Sequence, residues 1–207
     1  MKAAALTVEL AARGLVMACA VSLLAIGMVV LVYERLSGRP EPVERDRGPL
    51  ALVNFVGIIG FIVVAIPSAL ALGATIGRLA EPADAAFRLA GIVLLLAAGV
   101  LALWGIRSMG RQMASAAEVR PDTELVTSGA FGVVRHPLYL SVLLLWAGGT
   151  LALLSWAMAA GWLLLVPAFV ARARAEERLL TRHFGGEYPA YAARVPMLLP
   201  GIHGRRG

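Results

Sequence analysis

The sequence predicts an all-α, polytopic membrane protein with about five transmembrane helices and a cytoplasmic C-terminal catalytic segment. Three observations support this fold class: the composition, the length of the charge-free stretches and the distribution of basic residues. Of the 207 residues, 59% are hydrophobic and 15% are charged, and the mean hydropathy is +0.79. Soluble globular proteins carry about 25% charged residues. We therefore expect a lipid bilayer as the solvent of this chain.

Stretches without a charged residue mark the candidate spans, because about 20 apolar residues at ~1.5 Å per residue cross a ~30 Å hydrocarbon core. They are residues 14–33, 48–77, 89–106 and 137–171. The last stretch would form a helix of roughly 50 Å, too long for one crossing, so we divide it into two spans near Leu154 and Ser155. The second stretch contains Pro67, which could kink one helix or form the corner of a hairpin. We expect one helix.

The basic residues predict the orientation, because Lys and Arg favour the cytoplasmic side of a membrane. Of the 19 Lys and Arg, fifteen lie in residues 34–47, 107–136 and 172–207. We assign these three segments, including the C-terminus, to the cytoplasmic side. Eighteen of the 19 are Arg, which is typical of a GC-rich bacterial genome, so we expect the bacterial inner (plasma) membrane. The net charge of +6 then reflects topology, and we expect no nucleic-acid partner.

Several kinds of site are not supported by the sequence. The single cysteine, Cys19, allows no intramolecular disulfide and no Cys-type metal cluster. The three histidines lack the close spacing of a metal-binding motif, so we expect no metal. The chain also lacks the G-x-S-x-G, P-loop, G-x-G-x-x-G and kinase signatures. Chemistry must therefore come from other polar residues.

Most polar residues concentrate at the two ends of the predicted final hairpin, in residues 107–139 and 172–200. A hairpin returns both of its ends to the same membrane surface. We therefore expect Arg135 and His136 to lie close to residues 172–177, despite the separation in sequence.

The two segments allow alternative interpretations. Arg135, Pro137 and Tyr139 could form an ordinary helix start with interfacial anchors, or Arg135, His136 and the first amides of the helix could bind a carboxylate or phosphate. Arg172 and Glu176 could form a solvated ion pair worth about 0.3–0.5 kcal/mol. They could instead bind an anion and an ammonium or ribose hydroxyls. A zwitterionic cofactor would satisfy both segments.

An apolar stripe follows the second segment, at Phe184, Tyr188, Tyr191 and Val195, interrupted by a turn at Gly185. The spacing predicts an amphipathic helix. This helix could lie at the membrane interface or cover a pocket and exclude water from it, and the sequence does not decide between the two.

Two motifs carry a family resemblance. The first is V-R-H-P-L-Y at residues 134–139, and the second is E-E-x-x-L-x-x-x-F-G-x-x-Y-x-x-Y-x-x-x-V-x-x-x-x-P at residues 176–200. Together they resemble the isoprenylcysteine carboxyl methyltransferase family, and phospholipid methyltransferases share much of the pattern. The resemblance divides the chain into N-terminal transmembrane helices at 1–103, with three spans and contacts to the substrate, and a methyltransferase core at 104–207.

The resemblance implies an integral membrane methyltransferase that transfers a methyl group from S-adenosylmethionine to a lipophilic acceptor, leaving S-adenosylhomocysteine. The acceptor would be isoprenylcysteine carboxylate-like or phospholipid amine-like. Arg172 would orient the acceptor, and Glu176 would serve as a further catalytic group. The implied cofactor-binding residues are Arg135, His136, Tyr139, Glu176, Glu177, Tyr188 and Tyr191. The chain departs from the family pattern at Phe131, where tyrosine is common, and at Ser141, where glycine is common.

Two other functions remain as alternatives. The first is an NADPH-dependent membrane reductase of the sterol-reductase type, whose C-terminal helices are similar. It would need a larger binding surface and more basic residues for a second nucleotide. The second is a non-catalytic protein that binds membrane lipids through its basic face.

Overall fold

The computed structural model describes residues 2–36, 44–45, 53–70, 83–109, 118–119 and 124–200. In these segments the chain forms six α-helices: α1 (Lys2–Leu36), α2 (Val53–Ala69), α3 (Ala83–Met109), α4 (Pro137–Leu153), α5 (Trp156–Phe184) and α6 (Glu187–Ala192). A 3-10 helix at Gly129–Gly132 precedes α4. Two short strands, β1 (Glu44–Arg45) and β2 (Glu118–Val119), pair antiparallel. The predicted all-α class is confirmed.

Five of the helices are apolar and fall where the sequence predicts spans. Three contain 18 or more residues of sufficient hydropathy to cross a bilayer: α1 at Leu6–Leu23, α3 and α5. The apolar parts of the other two, Phe55–Ala69 in α2 and α4, are shorter. The chain is therefore an integral membrane protein, while five crossings and the orientation stay predictions.

The predicted break in the last apolar stretch is confirmed, because α4 ends at Leu153 and α5 begins at Trp156. Leu154 has a φ of +50°, a left-handed conformation that is uncommon for a residue other than glycine and reverses the chain here. Ser155 is fully buried. Its Oγ accepts the Met158 amide at 3.3 Å and lies 3.1 Å from the Ser68 hydroxyl. The serine therefore caps α5 and satisfies its own buried hydroxyl.

The second predicted span is one helix over the residues described. α2 begins at Val53 and ends at Ala69, two residues beyond Pro67. The carbonyl of Ala69 accepts a hydrogen bond from the Arg13 Nη1 of α1 at 2.6 Å, which satisfies one of the carbonyls left open at a helix end. Residues 48–52 and 71–77 of the predicted span lie outside the described residues.

The chain divides into two compact units. The first comprises Met1–Pro40, Phe55–Ala98 and Val142–Leu165. Its helices pack closely through glycine: a Cβ on Gly91 of α3 would collide with the backbone nitrogen of Ala152 in α4. Small residues allow such approaches between membrane helices. The Arg88 guanidinium binds the Asp84 carboxylate at 2.6 Å and the Ala152 carbonyl at 3.0 Å, so α3 keeps both charged residues paired and buried.

The second unit comprises Glu41–Asn54, Gly99–Ser141 and Val166–Gly207. It includes the end of α3, the 3-10 helix, the first turn of α4, most of α5 and all of α6. All the site residues predicted from the sequence belong to this unit.

Candidate active site

The segment before α4 is held by backbone hydrogen bonds to the chain beyond α6. The Arg135 amide donates to the Pro196 carbonyl at 2.9 Å, and the His136 amide donates to the Met197 carbonyl at 3.1 Å. Both amides therefore have backbone partners. They precede α4, and the interpretation that the first amides of that helix bind an anion stays a prediction. The extended segment fixes the direction in which Arg135 and His136 leave the backbone.

The preceding turn is anchored to the end of α3. Gly129 has a φ of +62°, and a Cβ at this position would collide with the Ser108 side chain. The Ser108 Oγ accepts the Ala130 amide at 3.1 Å. Glycine is therefore required both by the backbone conformation and by the close approach of α3. The turn places Phe131, whose carbonyl accepts the Tyr191 hydroxyl at 2.6 Å.

The Arg135 guanidinium joins three parts of the unit. Its Nε donates to the Glu177 Oε1 of α5 at 2.7 Å, and its Nη1 donates to the carbonyls of Ala192 and Val195 at 2.9 and 2.5 Å. The predicted proximity of residues 135–136 to residues 172–177 is confirmed by these contacts. The planar guanidinium suits such a role, because its donors are fixed in one fork.

His136, Tyr139 and the two glutamates form a compact hydrogen-bonded group. The His136 Nε2 lies 3.2 Å from the Glu177 Oε1, and the His136 ring stacks on the Tyr139 ring with centroids 5.1 Å apart and an angle of 7°. The Tyr139 hydroxyl donates to the Glu176 Oε2 at 2.5 Å. These contacts hold both glutamate side chains in defined positions.

Arg172 is buried, with 1% of its surface exposed. The solvated ion pair considered from the sequence is therefore not what the structure shows. The Arg172 charge acts on the Tyr139 hydroxyl and on the Glu176 carboxylate. A buried cation is tolerated when opposite charge and hydrogen-bonding groups surround it. Arg172 thus supports the Tyr139 and Glu176 pair from inside the unit.

An open cavity that holds ≈ 100 Å³ of water-sized space lies at this group of residues. Six of the predicted site residues line it: Arg135, His136, Tyr139, Glu176, Tyr188 and Tyr191. The other two, Arg172 and Glu177, are not part of the wall. Glu177 is bonded instead to Arg135 and His136, which are.

The two tyrosines after α5 occupy different environments. Gly185 has a φ of +55°, which lets α6 turn back so that Tyr188, Tyr191 and Val195 pack with Leu180. α6 ends at Ala192, so the predicted stripe does not lie on one helix. The Tyr191 hydroxyl binds the Phe131 carbonyl. The Tyr188 hydroxyl is buried and has no hydrogen-bond partner among the described residues.

Burial sets the ionisation of both phenols. Burial is the main cause that raises the pKa of Tyr191 to about 12; the Arg135 charge lowers this pKa, and the Glu177 carboxylate raises it. Burial, followed by Glu177, also raises the pKa of Tyr188 above its ordinary value. Both hydroxyls therefore remain protonated at neutral pH.

Some wall residues were not predicted from the sequence. Leu180 is a fixed position of the second motif, and Leu125 belongs to the run that leads into the first, so a signal existed for both. Met109 and Glu124 belong to no motif. They reach the cavity only because the end of α3 and the segment before the 3-10 helix fold against the wall. Within the described segments, no group of three His, Cys, Asp or Glu could hold a metal ion.

The two departures from the family pattern are accommodated locally. Phe131 lines the cavity with its ring and contributes its carbonyl to Tyr191. The buried Ser141 hydroxyl donates to the Leu138 carbonyl of its own helix at 2.7 Å. Neither side chain leaves a polar atom that needs another partner.

Comparison with known proteins bears on this part of the chain. Residues 87–187 match the family model described as phospholipid methyltransferase. The match covers just under half of the chain. The predicted family resemblance is confirmed, and the matched segment contains every predicted site residue except Tyr188 and Tyr191, which follow it directly.

Individual relatives agree with this assignment. Protein-S-isoprenylcysteine O-methyltransferase B of Arabidopsis thaliana is 32% identical over 117 residues, covering 55% of this chain and 59% of the plant protein. A probable protein-S-isoprenylcysteine O-methyltransferase of Oryza sativa subsp. indica is 32% identical over 116 residues, covering 54% of this chain and 60% of the rice protein. This chain therefore spans less than two thirds of the length of either plant relative.

A bacterial protein is also similar. The nickel-cobalt-cadmium resistance protein NccN of Alcaligenes xylosoxydans xylosoxydans is 36% identical over 85 residues, which covers 39% of this chain and 38% of that protein.

Proposed function

We propose that this protein is an integral membrane methyltransferase that uses S-adenosylmethionine to methylate a lipophilic acceptor. The observation that carries the proposal is the cavity, whose wall combines the carboxylates of Glu124 and Glu176 with the aromatic residues Phe131, Tyr139, Tyr188 and Tyr191. Bound S-adenosylmethionine supplies a sulfonium cation whose methyl group is already electrophilic. Carboxylates and aromatic faces attract such a cation.

A second feature supports the presence of a polar ligand. Tyr188 lines the cavity, and its buried hydroxyl has no partner in the described part of the chain. Leaving a buried hydroxyl unsatisfied costs about 1–3 kcal/mol. A cofactor that carries hydroxyl, amino and ring nitrogen groups offers this hydroxyl a partner.

The residues of the site divide into two groups in this proposal. Glu176, Tyr139 and Tyr188 contact the cofactor, while Glu177 holds Arg135 and His136 in place on the wall. Holding two reactants in line within a closed site lowers the barrier by several kcal/mol, as effective molarities show. The chain's contribution is thus to bind, orient and exclude water.

Arg172 keeps the role of positioning the acceptor in this proposal, acting through Tyr139 and Glu176. The need for a base depends on the acceptor. A carboxylate or thiolate acceptor is nucleophilic at neutral pH, whereas an ammonium acceptor must first lose a proton. Glu176, Glu177 and His136 are the candidate bases in that case.

The acceptor class follows from the relatives and from the solvent. The plant relatives bear the name of isoprenylcysteine O-methyltransferases, and the matched family that of phospholipid methyltransferases. We therefore propose an isoprenylcysteine carboxylate-like or phospholipid amine-like acceptor, contacted by helices within residues 1–103. We propose further that residues 104–207 form the methyltransferase core, that five helices cross the inner membrane, and that the C-terminus is cytoplasmic.

The proposal is tested by calorimetric titration of S-adenosylmethionine, S-adenosylhomocysteine and NADPH into the detergent-purified protein. We expect the first two to bind and NADPH not to bind. Glu176→Gln retains the shape and the Tyr139 hydrogen bond but removes the charge. It should therefore weaken binding of S-adenosylmethionine, which carries the sulfonium cation, more than tenfold, or about 1.4 kcal/mol. Binding of S-adenosylhomocysteine, which lacks this charge, should weaken less.

The control is Glu187→Gln, which neutralises an exposed carboxylate in the first turn of α6. Its affinities should equal those of the unaltered protein. Binding of NADPH instead would establish the reductase alternative, and binding of none of the three by folded protein would leave the non-catalytic alternative. Equal losses for donor and product in Glu176→Gln would contradict a charge interaction with the sulfonium.

A further inference from the structure

The part of α5 beyond its apolar stretch carries charge on two faces. One face bears Glu176 and Leu180, which line the cavity. The opposite face bears Arg174, Arg178 and Arg182, all exposed and each four residues from the next. Residues four apart on an α-helix lie one above the other. The three arginines therefore form a continuous basic stripe that faces away from the cavity.

Several arginines of the described segments form an ion pair with a carboxylate, and the three arginines of the stripe do not. Arg13, Arg88 and Arg135 each bind an acidic side chain. For Arg174, Arg178 and Arg182, the described segments provide no ion pair and no side-chain hydrogen bond. Within the described segments, no acidic side chain therefore neutralises the charge of the stripe.

The position of the stripe on the helix indicates where that partner lies. Pro167 is exposed within the apolar part of α5 and precedes Arg174 by seven residues and Arg178 by eleven. At about 100° per residue these positions share one face. The exposed face of α5 that is apolar before Ala171 is therefore the face that is basic after it. A helix surface that contacts lipid tails continues into one that contacts their headgroups.

The heights of the three residues fit a lipid surface. At 1.5 Å per residue, they lie about 4.5, 10.5 and 16.5 Å beyond Ala171 along the helix. The headgroup layer is roughly 5–8 Å thick on each side, and charge interactions decay over about 8–10 Å. We infer that Arg174, Arg178 and Arg182 form a binding surface for anionic phospholipid headgroups, strongest at Arg174 and weakest at Arg182. This inference is independent of methyl transfer.

The test is native mass spectrometry of the full chain in detergent, titrated with phosphatidylglycerol and with phosphatidylcholine. We expect tighter binding of phosphatidylglycerol. Since one basic residue near the surface changes such binding about fivefold, Arg174→Gln should raise the dissociation constant for phosphatidylglycerol by that factor. Arg178→Gln should have a smaller effect, and Arg182→Gln the smallest. Binding of phosphatidylcholine should not change in any variant.

The design contains its own controls. Arg182→Gln removes the same charge from the same face at a greater height, so an effect equal to that of Arg174→Gln would overturn the inference in favour of net charge. Arg174→Lys retains the charge and should retain the preference. If Arg174→Lys weakened phosphatidylglycerol binding as much as Arg174→Gln does, Arg174 would act through packing and not through its charge. Equal binding of the two lipids by the unaltered protein would also refute the inference.

Discussion

Replacing Tyr188 by phenylalanine should change stability and ligand affinity in opposite directions. The variant removes one hydroxyl that is buried and has no partner in the described residues, and it keeps the ring that packs against Tyr191 with centroids 5.8 Å apart. Burying an unsatisfied hydroxyl costs about 1–3 kcal/mol, and a net hydrogen bond contributes about 0.5–1.5 kcal/mol. Without ligand, the variant should therefore be as stable as the unaltered protein or more stable.

Ligand affinity should fall although stability does not, because the variant lacks the hydroxyl that would form a hydrogen bond with the proposed cofactor. We expect the affinity for S-adenosylhomocysteine to fall about three- to tenfold, which corresponds to that hydrogen bond. Since the raised pKa keeps the phenol protonated at neutral pH, the factor should be constant through the neutral range. The assays are calorimetric titration for affinity and thermal unfolding in detergent for stability.

Tyr191→Phe is the matched control, because it removes a hydroxyl from the same cluster. That hydroxyl binds the Phe131 carbonyl, so its loss should lower the stability of the protein without ligand by about 0.5–1.5 kcal/mol. If Tyr188→Phe instead lowered the stability as Tyr191→Phe does and left the affinity unchanged, the Tyr188 hydroxyl would be structural. The assignment of this hydroxyl to a ligand would then be refuted.

Three further predictions concern packing and charge. Gly91→Ala should lower the unfolding temperature strongly, because the added Cβ meets backbone atoms of α4, whereas Gly99→Ala, which has open space, should not. Arg88→Gln should destabilise the protein by about 3–5 kcal/mol because it removes the guanidinium that binds a buried carboxylate. Arg13→Gln, whose ion pair is more exposed, should destabilise it by about 1 kcal/mol or less, and chemical denaturation measures both effects. Arg172→Ala should slow turnover and leave cofactor affinity largely intact, and a defect in cofactor binding alone would contradict its proposed role.

The helix boundaries show a limit of predicting helix ends from the positions of charged residues. The positions of charged residues predicted that the first span begins at residue 14 and the third at residue 89. The structure begins α1 at Lys2 and α3 at Ala83. Glu9 pairs with Arg13 and Asp84 with Arg88, each across one helical turn. Such pairs neutralise charge inside a helix, so a charged residue alone does not mark its end.

The contacts of the site that were predicted are those determined by residues close in sequence or by the hairpin topology. A helical hairpin returns both of its ends to one surface, and this topology predicted that Arg135 and His136 lie near Glu177. It could not predict that the amides of the same two residues pair with residues 196–197, because this pairing depends on where the chain returns after α6. The same limit applies to Met109 and Glu124, since contacts between distant segments leave no local pattern.

The hydrogen bonds between residues 135–136 and 196–197 also determine when the site is assembled. A ribosome delivers the chain from its N-terminus, and N-terminal segments fold first. The partners of Arg135 and His136 are among the last described residues, so the apolar helices leave the translation machinery before the cavity wall is braced. The cavity wall can therefore be completed only after residues 196–197 have been synthesised.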